Sequence, residues 1–213
     1  MIENNPQIQK QEEKRCVQHI VISGGPAAGK TTIIQHLKNK LKDIDGIRFL
    51  FVPEFATLLD SMGIINTDIG HGNFEDLVLY YQLESEKILH YAIDRYYTDQ
   101  NIVVIYDRGL NDLFAYVNNE KQEELMCSYN LTKEKICNRY DLILHLTTSA
   151  KNVGYTTQNN PARKETKEQA IIMDDRTLEI NHWHKNCIVI PPSDTLEEKI
   201  YQVEKIIMES ISS

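Results

Sequence analysis

The chain has 213 residues and a formal net charge of −8. That length suits one α/β domain with a sizeable core and leaves little room for two, while the acid excess argues against general nucleic-acid binding or an anionic membrane surface. It directs attention to a small molecule, with a protein partner left open.

The chain begins with residues 1–16, polar and charged, without the apolar core of a signal peptide, and expected to form a mobile tail. No run anywhere reaches transmembrane length. The cysteines Cys16, Cys127, Cys137 and Cys187 make no C-x-x-C pair and no zinc spacing, and read as reduced, packed thiols of a cytoplasmic chain.

Val17–Ser23 reads as a buried strand, and Gly24-Gly25-Pro26-Ala27-Ala28-Gly29-Lys30-Thr31 then fits G-x-x-x-x-G-K-[ST] at every specified position. Small residues leave backbone N–H groups open to a polyphosphate, and glycines supply the dihedrals that the cradle needs. Lys30 is placed to reach the β/γ-phosphates and Thr31 to offer its hydroxyl to Mg²⁺. Thr32 continues the first helical turn, whose positive dipole end faces the anion. Ile33, Ile34, Leu37 and Leu41 carry the helical spacing onward, with a stop near Gly46.

Ile47–Val52 is short, aromatic and β-branched, and reads as a second strand bounded by Pro53, with Glu54 just past its end. A loop over 66–73 follows. Asn73 with Asp76 three residues on has the pattern of a capping box, opening a long helix to about Tyr97 that carries Leu77, Tyr80, Tyr81, Glu84, Ile88 and Tyr91. The apolar run from Ile102 closes on Asp107 as a Mg²⁺-facing strand does. After Arg108-Gly109 a helix is expected over 112–117, then one or two short helices over 118–138, and a fourth strand over 141–147.

The stretch 148–161 is polar, carries Gly154 and Pro161, and marks a lid near 148–165. Asn160 as cap and Pro161 at the first helical position would start a helix through Ala170, Met173, Leu178 and Trp183. Cys187–Ile190 is a fifth strand stopped by Pro191-Pro192, and Leu196–Ile211 an amphipathic closing helix. The alternation predicts a P-loop NTPase fold, a five-stranded parallel sheet with helices on both faces, and ligands at the carboxyl ends of its strands. A P-loop nucleotide-binding domain over 17–213 is therefore expected.

That topology would bring Glu54, Asp107 and Arg108 to the rim that holds Lys30 and Thr31. Phosphoryl transfer asks for positioning and charge neutralisation, so Asp107 is the candidate for Mg²⁺ through water, with a helix cap as the plain alternative. Glu54 is the candidate base or hydroxyl-binding group, against a solvated glutamate. Arg108 either clamps a phosphate or pairs with Glu54 or Asp112. Arg163, Lys164, Lys167 and Arg176 flank the lid, where a charged solvated face is the default for such a run. Gln82 and Glu84 are placed mid-helix to touch an acceptor. His71, His90, His145, His182 and His184 lack ligand spacing and read as surface or packed residues.

On Gly24 to Thr31, Pro53-Glu54, Asp107-Arg108-Gly109 with Asp112 and Tyr116, and the segment from Arg163 to Ala170, the chain resembles the AAA-domain P-loop family. That group holds the ribosylnicotinamide kinase domain of bacterial NAD-biosynthesis proteins and the translocation-defect protein of insect photoreceptors. The resemblance implies ATP or GTP with Mg²⁺, a nucleoside-kinase-like core and a lid arginine at Arg163. A more distant similarity to deoxynucleoside and thymidylate kinases supports roles for Glu54 and Asp107-Arg108. The expected activity is transfer of a γ-phosphoryl to a nucleoside-like small molecule; the alternative is a nucleotide-dependent binding protein whose lid and 70–73 loop present a partner surface. A Ras-like GTPase is disfavoured, because Asp107-Arg108-Gly109-Leu110 places the glycine of D-x-x-G one residue early.

Overall fold

The computed structural model describes residues 15–41, 44, 46–152, 166–193 and 195–211. Five parallel strands, β1 (Val17–Ser23), β2 (Ile47–Val52), β3 (Asn101–Asp107), β4 (Leu142–Leu146) and β5 (Cys187–Ile190), lie in the order β2-β3-β1-β4-β5. The helices are α1 (Lys30–Lys40), α2 (Phe55–Ser61), α3 (Asn66–Ile69), α4 (His71–Tyr96), α5 (Asn119–Ser128), α6 (Lys133–Cys137), α7 (Lys167–Asn181) and α8 (Leu196–Ile211).

The continuous apolar runs are explained by burial on both faces of the sheet, since alternate residues of a strand point to opposite sides. Ile20 and Ile22 of β1 and Val103 and Ile105 of β3 face Ile33 and Leu37 of α1 and Val203 and Ile207 of α8. Val21, Val104 and Tyr106 face the other way, into a core with Phe55 and Leu59 of α2, Leu79 and Ile93 of α4, and Ile180 of α7. Register sets Ile22 beside Asp107 and Ser23 beside His145, so the strands around the loop that follows β1 end together.

Several expectations are corrected. The long helix starts at His71, two residues before Asn73. Gly70, at φ 83°, both ends α3 and opens α4, and the Asn73 amide donates to Ile69 O at 2.8 Å instead of capping with Asp76. The expected 66–73 loop therefore contains α3 and the start of α4, and α2 follows Glu54 because Phe55 and Leu59 bury one side of it. α7 starts at Lys167, where Thr166 and Gln169 form a capping box, and ends at Asn181, short of Trp183. Asn160 and Pro161 lie outside the described residues. The helix expected over 112–117 is a 3-10 turn over Asp112–Ala115.

Residues 1–14 and 153–165 also lie outside the description, and with them most of the expected tail and lid. The stretch 148–152 is held against the core: Thr148 and Ala150 are buried around a 3-10 turn over Ser149–Lys151. No described helix is long and apolar enough to cross a membrane.

Candidate functional site

The loop between β1 and α1 can be understood from its carbonyl groups. Each oxygen from Gly24 to Gly29 already has a hydrogen-bond partner. Lys30 Nζ donates to Gly24 O and Gly25 O, both at 2.8 Å. Thr148 Oγ1 donates to Pro26 O at 2.6 Å and Ser149 Oγ to Ala27 O at 2.9 Å. Lys199 Nζ reaches Ala28 O at 3.2 Å, and the Ile33 amide reaches Gly29 O at 3.0 Å. With its acceptors occupied, the loop presents donors, and the amides opening α1 have no helical partner. That is a surface for anions.

The loop needs its small residues. Gly24, at φ 136°, runs so close to β4 that a Cβ would lie 2.2 Å from Leu146 O, and a Cβ on Gly25 would lie 2.7 Å from Asp174. Ala27 takes a left-handed φ of 59°. Thr31 and Thr32 are exposed in the first turn of α1.

Asp174 of α7, fully buried, holds the loop from below. Its Oδ1 accepts from the Gly25 amide at 2.9 Å and from the Thr148 amide at 3.1 Å, while Oδ2 receives Lys151 Nζ at 2.8 Å. Buried His145 lies 3.4 Å away. Burial alone would raise the Asp174 carboxyl, but the neighbouring His145 ring and the bonds from Lys151 and the Gly25 amide hold it down at about 2. Lys30 shows the opposite balance. Burial, reinforced by the charge of Arg108, pushes its ammonium well below the usual lysine range.

β3 delivers Asp107 and Arg108 to the same rim. Arg108 is held at φ 70°, a strained region for a residue with a long side chain. The turn sends its guanidinium back over the rim: Nε donates to Glu54 Oε1, Nη1 reaches Gly24 O at 3.3 Å, and the guanidinium lies 5.5 Å from the centre of the Tyr116 ring. Of the alternatives for Arg108, the structure shows the ion pair with Glu54. Thr57 Oγ1 donates to Glu54 Oε2 at 2.8 Å. Burial works to raise the Glu54 carboxyl, but Arg108 and Thr57 bring it below the ordinary glutamate value. Asp107 goes the other way, raised by burial and by the neighbouring charge of Glu54.

A cavity of about 820 Å³ opens on this rim. Pro26 of the loop, Glu54, Asp107 and Arg108 line one end, and Phe55, Phe74, Val78 and Met173 make apolar walls. Gln82 also lines it, its amide donating to Glu86 Oε1 at 3.2 Å. Glu84 does not: it pairs with Lys87 on the outer surface of α4. Arg176 is likewise spent elsewhere, donating to Val117 O at 3.0 Å. Arg163 and Lys164 lie outside the described residues, and Lys167 opens α7.

Two acids of the cavity carry more weight than their sequence suggested. Asp112 is 1% exposed. Its Oδ1 accepts from Ser23 Oγ at 2.5 Å, itself bonded by Asn181 at 2.7 Å, while its Oδ2 has no partner among the described residues. Glu75, also buried, is raised to about 7, chiefly by burial. Sequence reasoning missed Glu75 and Asp174. A hint for Glu75 was the spacing from His71, whose Nδ1 lies 3.7 Å from it one helical turn away. Asp174, beside Asp175 on a polar helix, gave no such hint.

The residues present suit Mg²⁺. Thr31 lies in the first turn of α1 and Asp107 ends the strand beside β1, and a dication relieves the burial and the neighbouring Glu54 charge that raise Asp107. No group of three or more His, Cys, Asp or Glu that could hold a metal occurs among the described residues. A site using a hydroxyl, one carboxylate and phosphate oxygens does not require one.

The parallel sheet and the loop between β1 and α1 define a P-loop α/β fold. A family model described as an AAA domain matches residues 19–199, and the chain belongs to that family. A comparison with curated proteins found no match. Among solved structures, thymidylate kinase from Candida albicans is similar at 16% identity over 92% of each chain, with a TM-score of 0.60. Deoxyadenosine kinase from M. mycoides, with the products dCMP and a flexible dCDP bound, is similar at 16% identity over 90% of this chain and 100% of that one, with a TM-score of 0.56. The same enzyme with dATP bound gives 18% identity, 92% and 100% coverage, and a TM-score of 0.53. At these identities the likeness is one of fold.

Proposed function

We propose that the chain is a phosphotransferase, moving the γ-phosphoryl of ATP or GTP to a nucleoside-like acceptor. The observation that carries this reading is the second compartment: the cavity of about 820 Å³ is lined by Pro26 of the phosphate loop and by Glu54, Asp107 and Arg108 of the same rim, so an acceptor there would face a triphosphate held by the loop. The kinase structures of the same fold, and the finer resemblance to a ribosylnicotinamide kinase domain, support it.

In this reading the amides of residues 24–32 hold the phosphates, and Lys30 exchanges its carbonyl partners for β/γ-oxygens. Glu54 orients the acceptor hydroxyl and takes its proton as the oxygen bonds to the γ-phosphorus and the bond to the leaving nucleoside diphosphate breaks. A carboxylate kept ionised by Arg108 suffices, because a loose transition state asks little of its base. Arg108 lies beside Glu54 and the phosphate loop and neutralises charge on the transferring phosphoryl, with Arg163 the second cation that the family resemblance implies. Mg²⁺, when bound at Thr31 and through water at Asp107, supplies charge neutralisation for the phosphates.

The test combines calorimetry with an acceptor panel. Glu54→Gln is expected to keep the nucleotide affinity of the parent and to form product about 10²- to 10⁴-fold more slowly. If the parent binds nucleotide with Mg²⁺ yet no nucleoside or vitamin ever gains phosphate, a nucleotide-switched binding protein replaces the kinase reading.

A further inference from the structure

We propose that Lys199 of α8 is a positioning residue for the donor's phosphates: its buried ammonium stands behind the phosphate loop as a cation whose counter-charge is the polyphosphate itself. The proposal rests on the reading that the loop holds a nucleoside triphosphate.

α8 begins against the back of the loop, where a Cβ on Gly29 would lie 3.2 Å from Leu196 Cδ1. Lys199, in the same first turn, is 4% exposed. Its Nζ donates to Thr147 O, just past β4, at 2.8 Å and to Ala28 O at 3.2 Å. Neither acceptor carries a charge, and no carboxylate pairs with Lys199 among the described residues. The buried acids nearby are committed elsewhere. Asp174, whose charge reaches Lys199, is held by Lys151 and by the Gly25 and Thr148 amides. Glu204 of α8 is held by His36 and Lys40. Glu197 and Glu198 are exposed. Burial accordingly pushes the Lys199 ammonium below the usual lysine value, with Asp174 opposing the shift.

Two carbonyls could be tied together by a neutral amide at a much smaller desolvation cost. A full charge at this point is balanced when an anion occupies the loop, and the peptide between Ala28 and Gly29 transmits it. Across a trans peptide the carbonyl and the following amide point in opposite directions. An ammonium on Ala28 O therefore polarises the Gly29 N–H on the far side, and hydrogen bonds in series strengthen one another where the dielectric is low. Lys30 leaves its carbonyls for the phosphates. Lys199 stays in place and acts through the loop.

Lys199→Gln keeps a donor for the two carbonyls and removes the charge. In calorimetry it is expected to bind Mg·ATP or Mg·GTP about tenfold more weakly than the parent, while the free chain melts at the parent's temperature or above it, because the uncompensated charge is gone. An unchanged affinity, or a loss of affinity together with a lower melting temperature, overturns the proposal and leaves Lys199 a clip between α8 and the loop, with phosphotransfer intact. The parent supplies a second readout that does not depend on the variant folding. In nitrogen-15 NMR the Lys199 ammonium should titrate about one pH unit higher with the triphosphate bound than without it, and an unmoved titration overturns the proposal. A parent that binds neither nucleotide removes the phosphate-loop reading and this one together.

Discussion

The phosphate loop and the cavity proposed to take the acceptor meet at Arg108, and they are built in opposite ways. In the loop the backbone oxygens of Pro26 to Gly29 are held by Thr148, Ser149, Lys199 and α1 itself, and they stay held when Lys30 turns from Gly24 and Gly25 to a ligand, so the loop meets it chiefly with donors. In the cavity, polar capacity is left open: Asp112 Oδ2 has no partner among the described residues, and burial raises the Glu75 carboxyl to about 7. The difference teaches where each kind of recognition is spent. A triphosphate tail is the same in every donor, so a rigid cradle of donors serves it. An acceptor has to be selected, and unsatisfied groups that only the right partner completes do that selecting.

The largest expected effect separates the two regions. Glu54→Gln should lower kcat by about 10²- to 10⁴-fold, the usual contribution of a general base, and leave the dissociation constant for Mg·ATP unchanged in calorimetry. A parallel loss of nucleotide affinity would mean that the boundary between cradle and cavity is drawn in the wrong place. Lys30→Ala should cut the other way. It removes a cation from the transferring phosphates, for a loss of about 10²- to 10³-fold in kcat/KM, and weakens nucleotide binding in the same titration. Calorimetry that cannot tell Lys30→Ala from the parent would end the cradle reading.

These two residues were legible in the sequence for different reasons. Lys30 belongs to eight contiguous residues whose spacing is fixed by the ligand, so the motif carries its own context. Glu54 and Asp107 were legible only as carboxylates at strand ends, because parallel topology gathers such ends on one rim. The cavity behind them was not legible. Its walls come from α2, α3, α4, the turn after β3 and α7, and nothing local in Phe74, Glu75 or Met173 announces that they converge. The 66–73 loop was misread because asparagine, aspartate and glycine signal turns equally well inside a chain of one-turn helices. Asp174 was hidden for a similar reason. Its chemistry lies in contacts with Gly25 and Thr148, both far from it along the chain.

Asp174 offers the next test, since it ties α7 to the cradle. Asp174→Ala leaves Lys151 and two amides without their buried acceptor, and should destabilise the fold by about 3 kcal/mol, in the range for breaking a buried pair. The unfolding midpoint in urea measures it, and nucleotide affinity should fall with it because the loop loses its anchor. The sign with pH follows from a carboxyl held at about 2. Its stabilisation is present above the unfolded value near 3.9 and is lost as pH falls towards 2. The gap between parent and variant should therefore narrow in acid.

Glu75 gives the smallest effect and the finest discrimination between the two regions. Burial raises its carboxyl to about 7, with Glu54 adding to the rise and His71 and Arg108 opposing it. Between about pH 4.5 and pH 7 the folded protein therefore keeps a proton that the unfolded chain releases, so this group's contribution to stability falls as pH rises through that window. Glu75→Gln removes the titration while keeping the shape. It should melt near the parent at pH 5 and above it at pH 8, by about 5 °C for a difference of about 2 kcal/mol. A gain of equal size at both pH values would show that Glu75 does not titrate in this window. The cavity would then hold a fixed acid where we place one able to switch between donating and accepting a hydrogen bond.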